Sequence, residues 1–569
     1  MLDLVIRGAT VVDGSGGPAQ HGDIGVENGR ICIIGEVDEK GRREIDATDL
    51  VVSPGFVDIH THYDAQAFFD TTLSPSPLHG VTTVFGGNCG FSIAPLTTES
   101  APYVRNMLSR VEGMPLESLE AGVPWDWRST SDFLDRLDRR LSVNSGWLIG
   151  HTALRAAVMG DRAFAEATDA ELSEMAELLR AGLRAGAMGF SSTWSPTHND
   201  HMGNPVPSRH ATAEELVRLC GVVSEFDGTT VEFIPAVGRF DEQVFDLMTR
   251  MSVAANRPVN WNSLMVESAD EELVEHQLSL GDHAASRGGR VVALTPADSR
   301  HHRVNFKSGF IFDALPGWDA VMALAPDEKI DLLRDPVRRA EIAEWATHTQ
   351  GYLASIADWP NYVLVEVFSE KYAEFTGRTV GAMAEQLGVG PFDAMVDVIV
   401  ADNLNTVLTR YDGGQDDDTW QRRVALWQDP RAMIGASDAG AHIDMTDAFS
   451  YGTTALQKAV RERRLVGLEK MVHMLTGQPA AFYGLRDRGR LQEGYWADVA
   501  IFDPETIGAG EVRTRFDFPG GAGRLFGGAT GIEHVLVAGT EIVRKDEFTD
   551  ERPGRVLKSG RDTYSVTTR

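Results

Sequence analysis

The stretch Pro54-Gly-Phe-Val-Asp-Ile-His-Thr-His62 decides how the chain is read. Residues two apart on a strand face the same side, so His60 and His62 point together. The residues before them are apolar, as a buried parallel strand requires. Two imidazoles at a strand's C-terminal end are costly to bury unless a partner compensates them, and a divalent metal does so. The plainer reading is two exposed or separately hydrogen-bonded histidines, and a lone His-x-His fits it. It fits poorly here, because metal-ligating residue types recur at the ends of later strand-like runs.

Those runs extend outward from the first, which spans 51–60. Others lie at 80–86, 146–151, 186–192, 229–235, 257–264, 290–295 and 431–438. Between several of them lie helical patterns such as Asp169-Ala-Glu-Leu-Ser-Glu-Met-Ala-Glu-Leu-Leu, with apolar residues at three- and four-residue steps. Eight strands alternating with helices predict an α/β fold, a (β/α)8 barrel of TIM type. Short β-like runs broken by Gly and Asp fill residues 1–52 and return over 484–569, which predicts a small β-sandwich domain assembled from both chain ends. The expected division is therefore 1–52 and 484–569 for that domain and 53–483 for the barrel. An insertion at about 300–430, after strand seven and near the barrel mouth, is too long for one crossover. Within it, Asp412-Gly-Gly-Gln-Asp-Asp-Asp reads as a solvated acidic loop.

Composition excludes several function classes. The 569 residues carry 53 Lys+Arg against 83 Asp+Glu, a net charge of −30. Phosphate backbones and anionic membranes both require clustered cations, so neither is an expected partner. Three cysteines, Cys32, Cys89 and Cys220, cannot form a disulfide framework in so long a chain. No basic-then-apolar N-terminal pattern and no run of roughly 20 apolar residues is seen. A cytoplasmic protein is expected, its partner a small-molecule amide, with homo-oligomer formation left open.

Two further segments carry chemistry. Asn88-Cys89-Gly90 follows the second strand, where a thiolate would be a soft ligand matched to zinc. Ala436-Ser-Asp438-Ala-Gly-Ala-His442 follows the eighth, where a carboxylate faces the same mouth as His60. Each has a plainer reading, as a small buried hydrophobe and as a turn.

With these segments the chain resembles the amidohydrolase superfamily, and within it the N-acyl-D-amino-acid deacylases (D-aminoacylases). The likeness runs through Gly87-Asn-Cys-Gly-Phe-Ser-Ile-Ala-Pro-Leu, Gly150-His-Thr-Ala-Leu-Arg, Gly186-Ala-Met-Gly-Phe-Ser-Ser and Leu475-Thr-Gly-Gln-Pro-Ala-Ala-Phe-Tyr-Gly-Leu. It implies a distorted barrel with a β-sandwich and one or two Zn2+ ions acting on amide C–N bonds. Carried over by position, His60 and His62 match the first-strand ligand pair and Cys89 the strand-two cysteine. Asp438 matches the strand-eight aspartate, both ligand and catalytic proton shuttle.

The pattern then departs from the family. The strand-five and strand-six histidines are missing; Glu232 stands near the first position as a possible metal or substrate contact, and Asn260 and Asn262 share a face near the second. An amide is a poor zinc ligand but orients substrate well. The arginine that holds the substrate carboxylate in deacylases is also missing, since Ala441-His-Ile-Asp follows Asp438. His151, His198, His201, His210, His301, His302 and His442 are candidates to line the mouth, with Arg303 or Lys307 supplying an anion contact. Two alternatives stand beside the deacylase-like enzyme. One is a hydrolase of a cyclic or bulky neutral amide or imide, and the other a non-catalytic binding or assembly protein that lost metal ligands.

Overall fold

The computed structural model describes residues 1–266, 271–298, 302–307, 309–349, 351–410 and 414–568. Eight parallel strands form one curled sheet in chain order. They are β1 (Phe56–Asp58), β2 (Val81–Gly86), β3 (Asn144–Gly150), β4 (Gly189–Thr193), β5 (Thr230–Ile234), β6 (Val259–Asn262), β7 (Val291–Thr295) and β8 (Ala432–Ile434). Every residue in them is buried, as expected of parallel strands covered on both faces. Each of the eight runs expected from sequence overlaps one of these strands, six containing it whole and two, 146–151 and 186–192, offset by one or two residues, and the fold is a distorted (β/α)8 barrel.

The crossover helices show why their sequences are helical. The helix Asp169–Ala185 opens with a capping box between Thr168 and Glu171 and ends at Gly186, whose φ of 109° an L side chain rarely adopts. Its buried Leu172, Met175, Ala176, Leu179 and Leu183 form one stripe. Burying side chains of this kind is worth about 1.5–3 kcal/mol for each leucine or methionine.

The ends of the strand series meet without a regular ladder. β1 and β8 close the barrel just beyond their C-terminal ends, through a parallel bridge between Thr61 and Ala439. The His62 N–H donates to the Ala439 carbonyl at 2.7 Å, and the Asp438 N–H to the His60 carbonyl at 3.2 Å. The Ser437 hydroxyl donates to that same His60 carbonyl at 3.2 Å.

One expectation needs correction. The run 51–60 is two strands, Val51–Pro54 and Phe56–Asp58, which belong to different sheets. Pro54 cannot donate to a ladder, and a side chain at Gly55 would collide with Thr82, so the pair breaks the run and turns it into the barrel. Val51–Pro54 instead pairs antiparallel with Val499–Phe502 and parallel with Leu2–Val11. It lies near the middle of a nine-stranded sheet that joins strands from within residues 2–54 to strands from within 499–548.

Between β7 and β8 lies a three-stranded sheet, Arg303–Val304, Val407–Arg410 and Tyr362–Glu366. It packs with helices around a separate core that includes Phe306, Phe312, Trp318, Leu333 and Met395. Of the acidic run, Asp412 lies outside the described residues, and Asp416 caps the helix Asp417–Trp427 by accepting the Thr419 N–H at 2.9 Å. Among the described residues no helix is long and apolar enough to cross a membrane.

Asp498 ties these layers together. Its buried carboxylate pairs with Arg488, accepts Asn144 Nδ2 of β3 at 3.0 Å, and accepts the Ala538 N–H at 2.8 Å. Replacing Asp498 with Ala leaves Arg488 buried without its counter-charge. It is expected to cost about 3–5 kcal/mol of stability in denaturant unfolding; a loss under about 1 kcal/mol would contradict this role.

Candidate functional site

His60 and His62 lie just past the end of β1, on the segment that closes the barrel. The Nε2 atoms of His60 and His62 are 3.4 and 3.7 Å from Cys89 Sγ, and the three ligand atoms all lie within 4.8 Å of one another. Asp438 Oδ1 is 3.2 Å from His60 Nε2 and 3.9 Å from His62 Nε2. Asn262, at the end of β6, donates from Nδ2 to Asp438 Oδ1 at 3.1 Å and lies 3.2 Å from His60 Nε2. All five side chains are buried.

The loop after β2 is shaped to present the thiol. Gly87, Cys89 and Gly90 have φ of 75°, 55° and 77°. A side chain at Gly87 would collide with the Leu148 backbone, so only glycine fits. Buried polar groups pin the turn: Asp64 Oδ2 accepts the Gly87 N–H at 3.0 Å, Ser191 Oγ the Gly90 N–H at 3.0 Å, and Glu232 Oε2 the Cys89 N–H at 2.8 Å. Asn88 Nδ2 donates to the Thr61 carbonyl at 3.1 Å, joining this loop to the histidine segment.

Glu112, just past the helix α1 (Ser100–Val111), was not singled out from sequence. Its Oε1 lies 3.1 Å from His62 Nδ1, so it fixes the ring with Nε2 toward the cluster. Burial alone would lower the His62 pKa, but Glu112, with Asp438 and Asp64, lifts it to about 9. Burial likewise pushes the Glu112 carboxyl up, and the neighbouring His62 more than reverses this, holding it below the usual carboxylate value. Burial raises Glu232 to about 8 despite the Cys89 N–H.

The donor set fits a zinc ion. Two imidazoles, a thiol and a carboxylate converge in a buried pocket, and zinc accepts N, S and O ligands of these kinds. A carboxylate behind a ligating histidine is the usual supporting group. Among the described residues no second group of three such donors converges.

The cluster opens into a cavity of about 750 Å³. Glu112, His198, His302 and His442 line it on polar stretches, and Ile234, Val237, Met265 and Val274 form an apolar side. No lysine or arginine is among its described lining residues.

The remaining sequence candidates sit elsewhere. His151 begins a helix instead of ending a strand. It is buried between Ser192 Oγ and Glu215 Oε1, each at 2.8 Å, away from the cavity. Asn260, one layer deeper than Asn262, donates to the Val231 carbonyl at 3.2 Å. Arg303 turns to the Val512 carbonyl at 2.8 Å and faces Glu366 at 3.6 Å, lining a different cavity. Lys307 is half-exposed near Glu117. Glu232 supports the Cys89 backbone and is not part of the three-donor cluster. His301 lies outside the described residues.

Residues 43–543 match the amidohydrolase family. The chain is 28% identical to the D-aminoacylase of Alcaligenes xylosoxydans xylosoxydans, over 98% of this chain and 97% of that one. A solved D-aminoacylase structure superimposes with a TM-score of 0.64 at 26% identity, covering 98% of this chain and all of the other. An N-acyl-D-glutamate deacylase from Bordetella bronchiseptica, solved with zinc and a phosphonate mimic of the tetrahedral intermediate, gives 0.64 at 25% identity over the same shares. The family match runs from the N-terminal sheet through the whole barrel to the C-terminal strands, and on that basis the chain belongs to the amidohydrolase family of hydrolases.

Proposed function

We propose that the protein is a zinc-dependent amidohydrolase that cleaves an amide C–N bond with water. The observation that carries this reading is the convergence of His60, His62, Cys89 and Asp438 on the floor of one cavity. The metal-bound centre of the deacylase relative supports it. The residues that would hold a single ion are His60, His62 and Cys89, with Asp438 completing the set. A bound zinc supplies Lewis acidity, lowering the pKa of water from about 16 toward 7 and polarising the amide carbonyl.

The chain's own groups do the rest. Asp438 Oδ1 accepts the proton lost by the attacking water and returns it to the leaving nitrogen, so the water oxygen ends on the acyl carbon and the amine departs neutral. Asn262 donates to that same carboxylate oxygen and fixes its position. Glu112 holds the His62 ring, and Glu232 holds the turn that carries Cys89. Burial of the floor keeps bulk water from competing with these contacts.

The substrate divides into two readings. The relatives support an N-acyl-D-amino acid. The lack of any lysine or arginine among the described lining residues favours instead a neutral amide, cyclic or bulky, with no carboxylate beside the scissile bond. A panel of N-acyl-D-amino acids, each matched with its carboxamide, separates them: faster cleavage of the carboxamides supports the neutral reading, and faster cleavage of the acids removes it.

Three further outcomes test the centre. Protein purified without added zinc is expected to carry one zinc per chain, and full activity without metal would end the proposal. Asp438→Asn is expected to lower kcat by about 10²–10⁴-fold with the fold kept, and near-normal turnover would reject its role as proton carrier. Glu112→Gln is expected to weaken zinc retention by about 10–100-fold in chelator competition, and unchanged affinity would show that His62 needs no such support.

A further inference from the structure

A second cavity of about 850 Å³ lies between the barrel and the segment that follows β7. Thr197, from the loop after β4, and His302, at the start of that segment, line both cavities. The two spaces therefore lie on either side of these side chains. Each alone is within the range that encloses a drug-sized molecule, about 300–1,000 Å³. A small acylated amino acid would leave one of them empty.

The two cavities differ in chemistry. The inner one has the apolar side formed by Ile234, Val237, Met265 and Val274, and Val237 is 65% exposed there. An exposed valine lining the cavity of the donor cluster is suited to an apolar group of a bound substrate. The outer one is polar, with two arginines and three aspartates among its described lining residues. Arg110 pairs with Asp313, Arg410 donates to the Ser355 carbonyl, and Asp200 and Asp319 add negative charge. Small side chains at Ala314, Ala320 and Ala323 leave it wide.

We infer that the substrate is an elongated amide with an apolar acyl group held in the inner cavity and a polar, uncharged arm on the amine side passing Thr197 and His302 into the outer one. This rests on the amide-hydrolase reading above. The arm makes no contact with the reacting atoms. Its binding energy holds the scissile bond at the donor cluster, so lengthening it raises kcat/KM. With three aspartates against two arginines among its described lining residues, the outer cavity gives a terminal carboxylate no advantage.

The test uses the zinc-loaded full-length enzyme and N-hexanoyl-D-alaninamide, extended on the amide side by none, one, two or three glycine units. A parallel set ends in a free carboxylate. The expected result is a rise in kcat/KM of about tenfold or more between none and two units, with no gain from the carboxylate. Ala320→Trp, which narrows the outer cavity, is expected to lower the long-to-short ratio by about tenfold. Cleavage of the shortest amide with no gain on lengthening, or a ratio that Ala320→Trp leaves unchanged, overturns this inference while the amide-hydrolase reading stands. Failure to cleave any member of either set removes both. The wild-type length series does not depend on how Ala320→Trp folds.

Discussion

The barrel is closed by the same few residues that form its candidate metal site. β1 and β8 do not run side by side for long; they are joined by backbone hydrogen bonds among His60, His62, Asp438 and Ala439. The imidazoles and the carboxylate are therefore fixed relative to each other by the bonds that complete the sheet. Loop motion cannot separate them without opening the barrel. This explains how a histidine pair and an aspartate some 380 residues apart share one site. It also ties the precision of the site to the most constrained part of the scaffold.

Burying such a cluster sets a second demand, because carboxylates in an apolar interior are expensive unless each has a partner. Glu112, Asp64 and Glu232 meet it differently. Glu112 faces an imidazole, whereas Asp64 and Glu232 accept backbone N–H groups of the turn around Cys89. Carboxyl groups whose burial would otherwise weaken the fold instead fix the rotamer of His62 and the backbone of Cys89.

The sequence revealed the donors and hid their supports, for a physical reason. His60, His62, Cys89 and Asp438 stand just past the ends of apolar runs, and the C-terminal ends of parallel barrel strands all lie at the mouth. The same periodicity shows that Asn260 and Asn262 share a face but not how deep each lies, and only Asn262 reaches the cluster. Glu112 leaves no comparable mark, since one glutamate at a helix end reaches His62 only through the tertiary path of the loop after β2. His151 and Arg303 misled for the converse reason. The chain turns into a helix at His151 and into a small sheet at Arg303, and each side chain follows local geometry away from the mouth. The run 51–60 looked like one strand because hydrophobicity does not register the change of sheet at Pro54-Gly55.

That change of sheet has a consequence for the newborn chain. Val51–Pro54 leaves the ribosome early, yet its antiparallel neighbour Val499–Phe502 emerges about 450 residues later, roughly 20–90 s at ordinary elongation rates. Through that interval one edge of a hydrophobic strand has no native partner, and such an edge readily recruits other strands. The N-terminal strands must be shielded, by early pairing among themselves or by chaperones, while the barrel is still being made.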